Sequence, residues 1–395
     1  MHWSRWISTA FLAVLIFAFS VSDLSAQSSA PAAPQSSASS GAASKPASAP
    51  PAANVPLDAS QMLGKGKMEG PAIPGMDMKT GVPLYETIQE DWSSLDIGMS
   101  QLDPEPPIVG PVDTEQKFSR QLVSVKWRPG DPIDLWIILP RNVKNPPVVL
   151  YLYNFDEDTD RFRNDAWCEH VTSGGFAAVG FVSAFTGQRF HERPMRQWFV
   201  SELQESLGST VHDVKFILDY LSSRGDVDMG RVGMFGQGSG GSIAILAAAA
   251  DPRIKAIDLL EPWGDWPRFL ATSPVLQLDA IKENHENYGK PEFLKKVAPL
   301  EPVTYLPQLK IPIRLQQIKE SNVVPMESKE TLKDALPKQA LLRRFETASD
   351  LFHEERGGML FAWVAGELKS LPPAPQAPLA VAGGQSPDGK VNPAQ

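Results

Sequence analysis

Residues Arg231–Gly241, reading Arg-Val-Gly-Met-Phe-Gly-Gln-Gly-Ser-Gly-Gly, constrain this chain more than any other stretch. Val232–Phe235 has the apolar character of a short buried strand, and the glycines after it mark a tight turn. Small apolar residues then run through Ile243–Ala250 until Asp251-Pro252 stops them. The order is therefore strand, turn, helix, with the helix spanning Ser239–Ala250.

The rest of the chain extends that pattern. Leu122–Trp127 and Ile133–Leu139 read as strands around an Arg128-Pro129-Gly130-Asp131 turn. Val148–Tyr153 is a continuous apolar run of the kind buried inside a parallel sheet. A helix over Asn164–Thr172 and a strand over Phe176–Val182 follow. Phe199–Ser222 is the clearest helix, because Leu203, Leu207, Val211, Val214, Leu218 and Leu221 recur every three or four residues. Ile254–Leu260, Ile311–Ile318 and Leu341–Phe345 read as further strands, with helices over Met326–Leu336 and Gly358–Leu368. Strands alternating with helices predict an α/β fold, a mostly parallel doubly wound sheet with helices on both faces. Such sheets bind ligands at the carboxyl ends of their strands. Residues 262–310 interrupt the alternation, and an insertion there would cover that edge as a lid. The predicted folded domain is 120–371.

The flanks have a different composition. Residues 1–26 have a positive start at Arg5, an apolar run over Trp6–Val21 and a small residue, Ala26, at a cleavage position. They read as an export signal, which predicts a periplasmic or secreted protein. Residues 27–58 are dominated by Ala, Ser and Pro and read as a disordered linker; 372–395 read as a disordered tail. Residues 59–119 read as an extended segment with little regular structure before about residue 118. A membrane contact is expected only through an uncleaved N-terminal segment. The formal net charge of −9, without a basic run, argues against nucleic-acid binding. No cofactor is expected. No cluster has zinc spacing, and the acidic loop Asp156–Asp160 departs from a calcium loop at Arg161 and Trp167. The single cysteine, Cys168, reads as a small buried thiol.

Three local signatures resemble the α/β-hydrolase family, within it the dienelactone-hydrolase and prolyl-oligopeptidase-like branch. They are Arg231–Gly241, Asp251-Pro252-Arg253-Ile254-Lys255-Ala256, and Ile311-Pro312 followed by Asn322-Val323-Val324-Pro325. The resemblance covers about residues 120–371. It implies a Gly-x-Ser-x-Gly nucleophile turn and a triad in the order serine, acid, histidine. Carried onto this chain, the nucleophile position is Gly238 and the acid position is Ser321, so neither has the needed side chain. The base position is His353, in the loop after the last strand. The implied oxyanion donors are the backbone N–H of Ser239 and that of Asn154 or Phe155. A displaced alternative would use Ser239 as nucleophile, His353 as base and Glu320 or Asp350 as acid. Gln237 and Gly241 flank Ser239 in that register, and Gln237 is too large for the strained turn. The expectation is thus an exported hydrolase-fold protein without standard Ser-His-Asp catalysis, acting as a binding module. A small-molecule carbonyl or carboxylate is its expected ligand. The alternative is a serine esterase or peptidase-like hydrolase.

Overall fold

A computed structural model describes residues 90–98, 100, 102–128, 131–155, 160–185, 203–277, 288–356 and 359–373, all within a unit that begins at Thr87. The expected signal, the linker, most of the acidic loop and all but the first residues of the tail lie outside the described residues.

The sheet is built from β1 (Ile108–Thr114), β2 (Phe118–Val125), β3 (Ile133–Pro140), β4 (Pro147–Leu152), β5 (Ala177–Gly180), β6 (Asp228–Gln237), β7 (Ile254–Leu260), β8 (Ile313–Ile318) and β9 (Leu341–Phe345). Their spatial order is β1-β2-β3-β5-β4-β6-β7-β8-β9. The first three strands form an antiparallel meander, and β3 also pairs antiparallel with β5. From β5 through β9 every neighbour is parallel. All six residues of β4 are buried, as a strand covered by helices on both faces requires. The helices are α1 (Asp165–Thr172), α2 (Leu203–Arg224), α3 (Ser239–Ala250), α4 (Trp266–Thr272), α5 (Pro291–Val297), α6 (Pro302–Tyr305), α7 (Met326–Asp334), α8 (Ala348–Arg356) and α9 (Met359–Ser370). This is the α/β-hydrolase architecture.

The apolar stripe of α2 turns inward: Leu207, Val211, Val214, Leu218 and Leu221 are all buried. Helix α3 is apolar on nearly all sides because it lies between other elements, packing on β6, β7 and α2. Between β7 and β8 the insertion contributes α4, α5 and α6. Its tryptophans, Trp263 and Trp266, are buried, and Trp266 Nε1–H donates to Leu300 O at 2.9 Å.

One expectation is corrected. Regular structure begins before residue 118: β1 pairs with β2 through a register irregularity between Val109 and Val112. Its Gly-Pro centre and exposed side chains hid it from a search for alternation. The segment before it, 90–98, wraps onto the domain through charged and hydrogen-bonded contacts. Glu90, its side chain buried, receives two hydrogen bonds from Arg128, at 2.6 Å each, and lies 2.6 Å from His212 Nδ1. Arg128 also donates to Asp213 Oδ1 at 2.5 Å, which Trp127 Nε1–H reaches at 2.7 Å. His212 Nε2 faces Ser94 O at 2.9 Å. Residues 90–98 are thereby strapped to α2 and to the turn between β2 and β3.

Candidate functional site at the glycine turn

Strand β6 ends at Gln237 and α3 starts at Ser239, so Gly238 makes the turn between them, with φ 56° and ψ −121°. A side chain at that φ is strained. The turn is held by Gly238 N–H donating to Leu260 O at 2.9 Å, and Gly238 O accepting from Gly241 N–H at 3.0 Å. Its flanks leave no room for larger residues. A Cβ on Gly236 would lie 2.7 Å from Gly240 C, and one on Gly240 2.7 Å from Leu152 C. Gln237, by contrast, belongs to β6. Gly238, rather than Ser239, therefore takes the sharp position between small residues.

Directly opposite stands Asn154, two residues past the end of β4. A Cβ on Gly238 would lie 2.8 Å from Asn154 Cγ and would overlap its Oδ1. That oxygen accepts from Ser239 N–H at 3.0 Å and from Ser239 Oγ–H at 3.1 Å. Phe155 N–H in turn donates to Ser239 Oγ at 3.0 Å. The structure thus gathers four of the predicted site residues: Gly238, Ser239, Asn154 and Phe155. Asn154 takes part through its carboxamide oxygen rather than its backbone N–H. Ser239 is fully buried. Ser242, a turn further along α3, donates from Oγ to Trp263 O at 2.8 Å. The Trp263 ring meets Phe155 at 5.7 Å and Phe269 at 4.8 Å, giving the site an aromatic wall.

Among the described residues, the other predicted ones make no side-chain hydrogen bond to this group. His353 is an exposed residue of α8, a correction to the loop placement, and no hydrogen bond joins it to the turn. A short helix separate from the expected Gly358–Leu368 one forms there: Thr347 Oγ1 accepts from Asp350 N–H at 3.2 Å while Asp350 Oδ2 accepts from Thr347 N–H at 3.0 Å, a reciprocal cap. Glu320 is exposed, and its backbone N–H donates to Glu346 O at 3.0 Å. Ser321 O accepts from Lys329 Nζ at 2.7 Å.

Lys329 and Glu261 were not singled out by sequence. Lys329 is almost completely buried; besides Ser321 O, it donates to Ile318 O at 2.5 Å and pairs with Glu261 Oε2 at 2.9 Å. Glu261 Oε1 accepts from Ile318 N–H at 2.8 Å, and the residue sits at φ 49°. Burial raises the Glu261 pKa, and the Lys329 charge opposes that rise. A buried cation therefore organises the loop that would present the catalytic acid. The available signal was Lys329 sharing the inward side of α7 with Ser328 and Leu332. Among the described residues no group of three His, Cys, Asp or Glu side chains is placed to hold a metal.

No family model matches the chain, and no curated protein matches it in sequence. Solved structures do match in fold. An acetyl xylan esterase from Paenibacillus sp. R4 is 18% identical, with a TM-score of 0.54 over 66% of this chain and 89% of that one. Acetyl xylan esterase 1 from Thermoanaerobacterium sp. JW/SL YS485 is 14% identical, with a TM-score of 0.49 over 65% and 88% of the two chains. A cold-adapted esterase from an Arctic intertidal metagenomic library is 16% identical, with a TM-score of 0.45 over 66% and 99%. At these identities the likeness to the Paenibacillus protein is one of fold.

Proposed function

We propose that this chain is an exported α/β-hydrolase-fold protein that does not use standard Ser-His-Asp catalysis. In this reading the glycine turn is a binding site for a small carbonyl or carboxylate group. The observation that carries it is Gly238, which takes the strained turn and has no side chain to attack with. Acyl transfer by this fold needs a nucleophile touching a base, and a base oriented by an acid. Ser239 Oγ instead bonds Asn154 and Phe155, and His353 is exposed on α8 without a hydrogen bond to either. Backbone donors and the amino end of α3 still favour an oxygen ligand at the turn.

A second reading is favoured by the name of the acetyl xylan esterase from Paenibacillus sp. R4, which shares the fold. It is a serine esterase using displaced Ser239 with His353. It requires Ser239 Oγ to leave its present partners and His353 to reach it.

One experiment separates the two. The full chain is treated with a fluorophosphonate probe and with short aryl esters. No labelling and no turnover above that of buffer are expected. Labelling that disappears in Ser239→Ala overturns the proposal in favour of the esterase. Loss of a nucleophile typically costs a factor of ~10⁶, so the two outcomes are far apart.

A further inference from the structure

We propose that residues 90–98 form a proton-operated strap: it is closed onto a doubly protonated His212 and comes away from α2 when that ring gives up its second proton. Neither Gly238 nor Ser239 takes part.

Both nitrogens of the buried His212 ring face an oxygen of the strap. Nε2 lies 2.9 Å from Ser94 O, and a carbonyl oxygen can only accept, so Nε2 carries a hydrogen. Nδ1 lies 2.6 Å from Glu90 Oε1. Arg128 decides which of those two holds the hydrogen between them. Its Nε–H and Nη2–H donate to Oε2 and Oε1 of the same carboxyl at 2.6 Å each, the fork that suits an ionised carboxylate. Burial pushes the Glu90 pKa up, but hydrogen bonds from Arg128 and His212 bring it down to about 2. Glu90 is therefore an acceptor only, and Nδ1 donates to it. With a hydrogen on each nitrogen, His212 is an imidazolium.

The neutral ring cannot keep both contacts. It has one N–H, so its other nitrogen would present a lone pair to Glu90 Oε1 or to Ser94 O at hydrogen-bond distance. The charges around the ring point the same way. Glu90 faces it from the strap, Asp213 neighbours it on α2, and Arg128 and Asp131 come from the turn between β2 and β3. Arg128 Nη1 donates to Asp213 Oδ1 at 2.5 Å and lies 3.7 Å from Asp131 Oδ2. All four of these side chains are buried. Lys215, one turn further along α2, is 3.8 Å from the exposed Asp96 of the strap. A neutral His212 would leave Arg128 as the single cation among the carboxylates of Glu90, Asp213 and Asp131, away from the water that could screen them. The closed strap thus holds a proton that the open strap has no reason to keep. Closure is favoured at low pH and lost as pH rises and that proton leaves, while ionisation of Glu90 sets the acid limit.

The test uses the full chain, with nitrogen-15 NMR of the histidine rings and amide exchange of residues 90–98 followed on the same samples as pH is raised. The His212 ring is identified by its contact with Ser94. Exchange is corrected for its intrinsic rise with pH and referred to α3. The ring should carry two N–H groups while the strap is protected. Protection of the strap should then fall at least ~tenfold at the same midpoint at which the ring becomes neutral, because a buried ion cluster that loses one partner is strongly destabilised. Protection of α3 should be unchanged across that step. A neutral ring beneath a protected strap overturns the inference. So does a strap that stays protected after the ring is neutral, or one that opens only together with α3. In His212→Asn the strap should be open to the same degree at every pH of the series, and a wild-type profile in that variant also overturns the inference. Where the asparagine variant does not fold, the wild-type series decides alone.

Discussion

At Ser239 the hydroxyl accepts from Phe155 N–H at 3.0 Å and donates to Asn154 Oδ1 at 3.1 Å, inside a fully buried site. Those bonds give the side chain a structural duty that can be measured. Ser239→Ala removes the acceptor from Phe155 N–H, and an unsatisfied buried donor costs about 1–3 kcal/mol. The variant should lower the urea midpoint by a corresponding amount with an unchanged denaturant slope. An unaltered midpoint would show that these bonds contribute nothing to the fold. Gly238 belongs to the same scale. The sequence shows glycine where the resemblance implies serine, and the backbone supplies the reason this is tolerated: the turn remains at φ 56°. The resemblance implied Asn154 at this turn; that its side chain takes the space a residue at 238 would need was not legible, because side-chain direction is set by packing between strands.

At the scale of elements, the strap over residues 90–98 depends on Glu90. Burial acts to raise the Glu90 pKa, but hydrogen bonds from Arg128 and His212 outweigh it and hold the carboxyl down to about 2, from 4.5. A lowered folded pKa means the stabilisation is complete above about pH 4.5 and is lost as pH falls toward 2. Amide exchange in residues 90–98 should accelerate across that acid window before the sheet opens. Uniform acceleration of strap and sheet would defeat the prediction. Glu90→Gln should loosen the strap already at neutral pH, since removing one partner of a buried ion cluster costs about 3–5 kcal/mol. Helix α2 carries the docking surface for this strap: a Cβ on Gly208 would lie 2.8 Å from Trp92 Cα. The helix itself was legible from its apolar spacing. That the segment wraps onto the domain was legible; the partners that hold it were not, because they are charged residues that pattern assigns to solvent.

At the scale of the molecule, the compact unit begins at Thr87, so chain length and strap make different predictions. A chain starting at Thr87 should unfold cooperatively at the full-length midpoint. One starting at Leu102 lacks Glu90 and leaves Arg128 and His212 without that carboxylate; it should unfold at lower denaturant. Equal midpoints for the two truncations would show that the strap is dispensable. The buried Arg314–Asp258 pair, with Gln316 Nε2–H donating to Asp258 Oδ1 at 2.9 Å, joins β7 to β8 independently of the strap, so the sheet should remain two-state in both.

The sequence by itself determined the alternation of strands and helices, and with it the doubly wound sheet. Continuous apolar runs such as β4 and the stripe of α2 are local signals, and only a layered α/β arrangement buries them all. It also located the turn between β6 and α3, since the glycines that make it are adjacent in the chain. Tertiary structure alone decided what surrounds that turn. Asn154 reaches Ser239 across parallel strands, Lys329 reaches back from α7 to Ile318, Ser321 and Glu261, and His353 rides outward on α8. Each of these depends on side-chain direction and on distances between elements far apart in sequence. Periodicity carries no information about either.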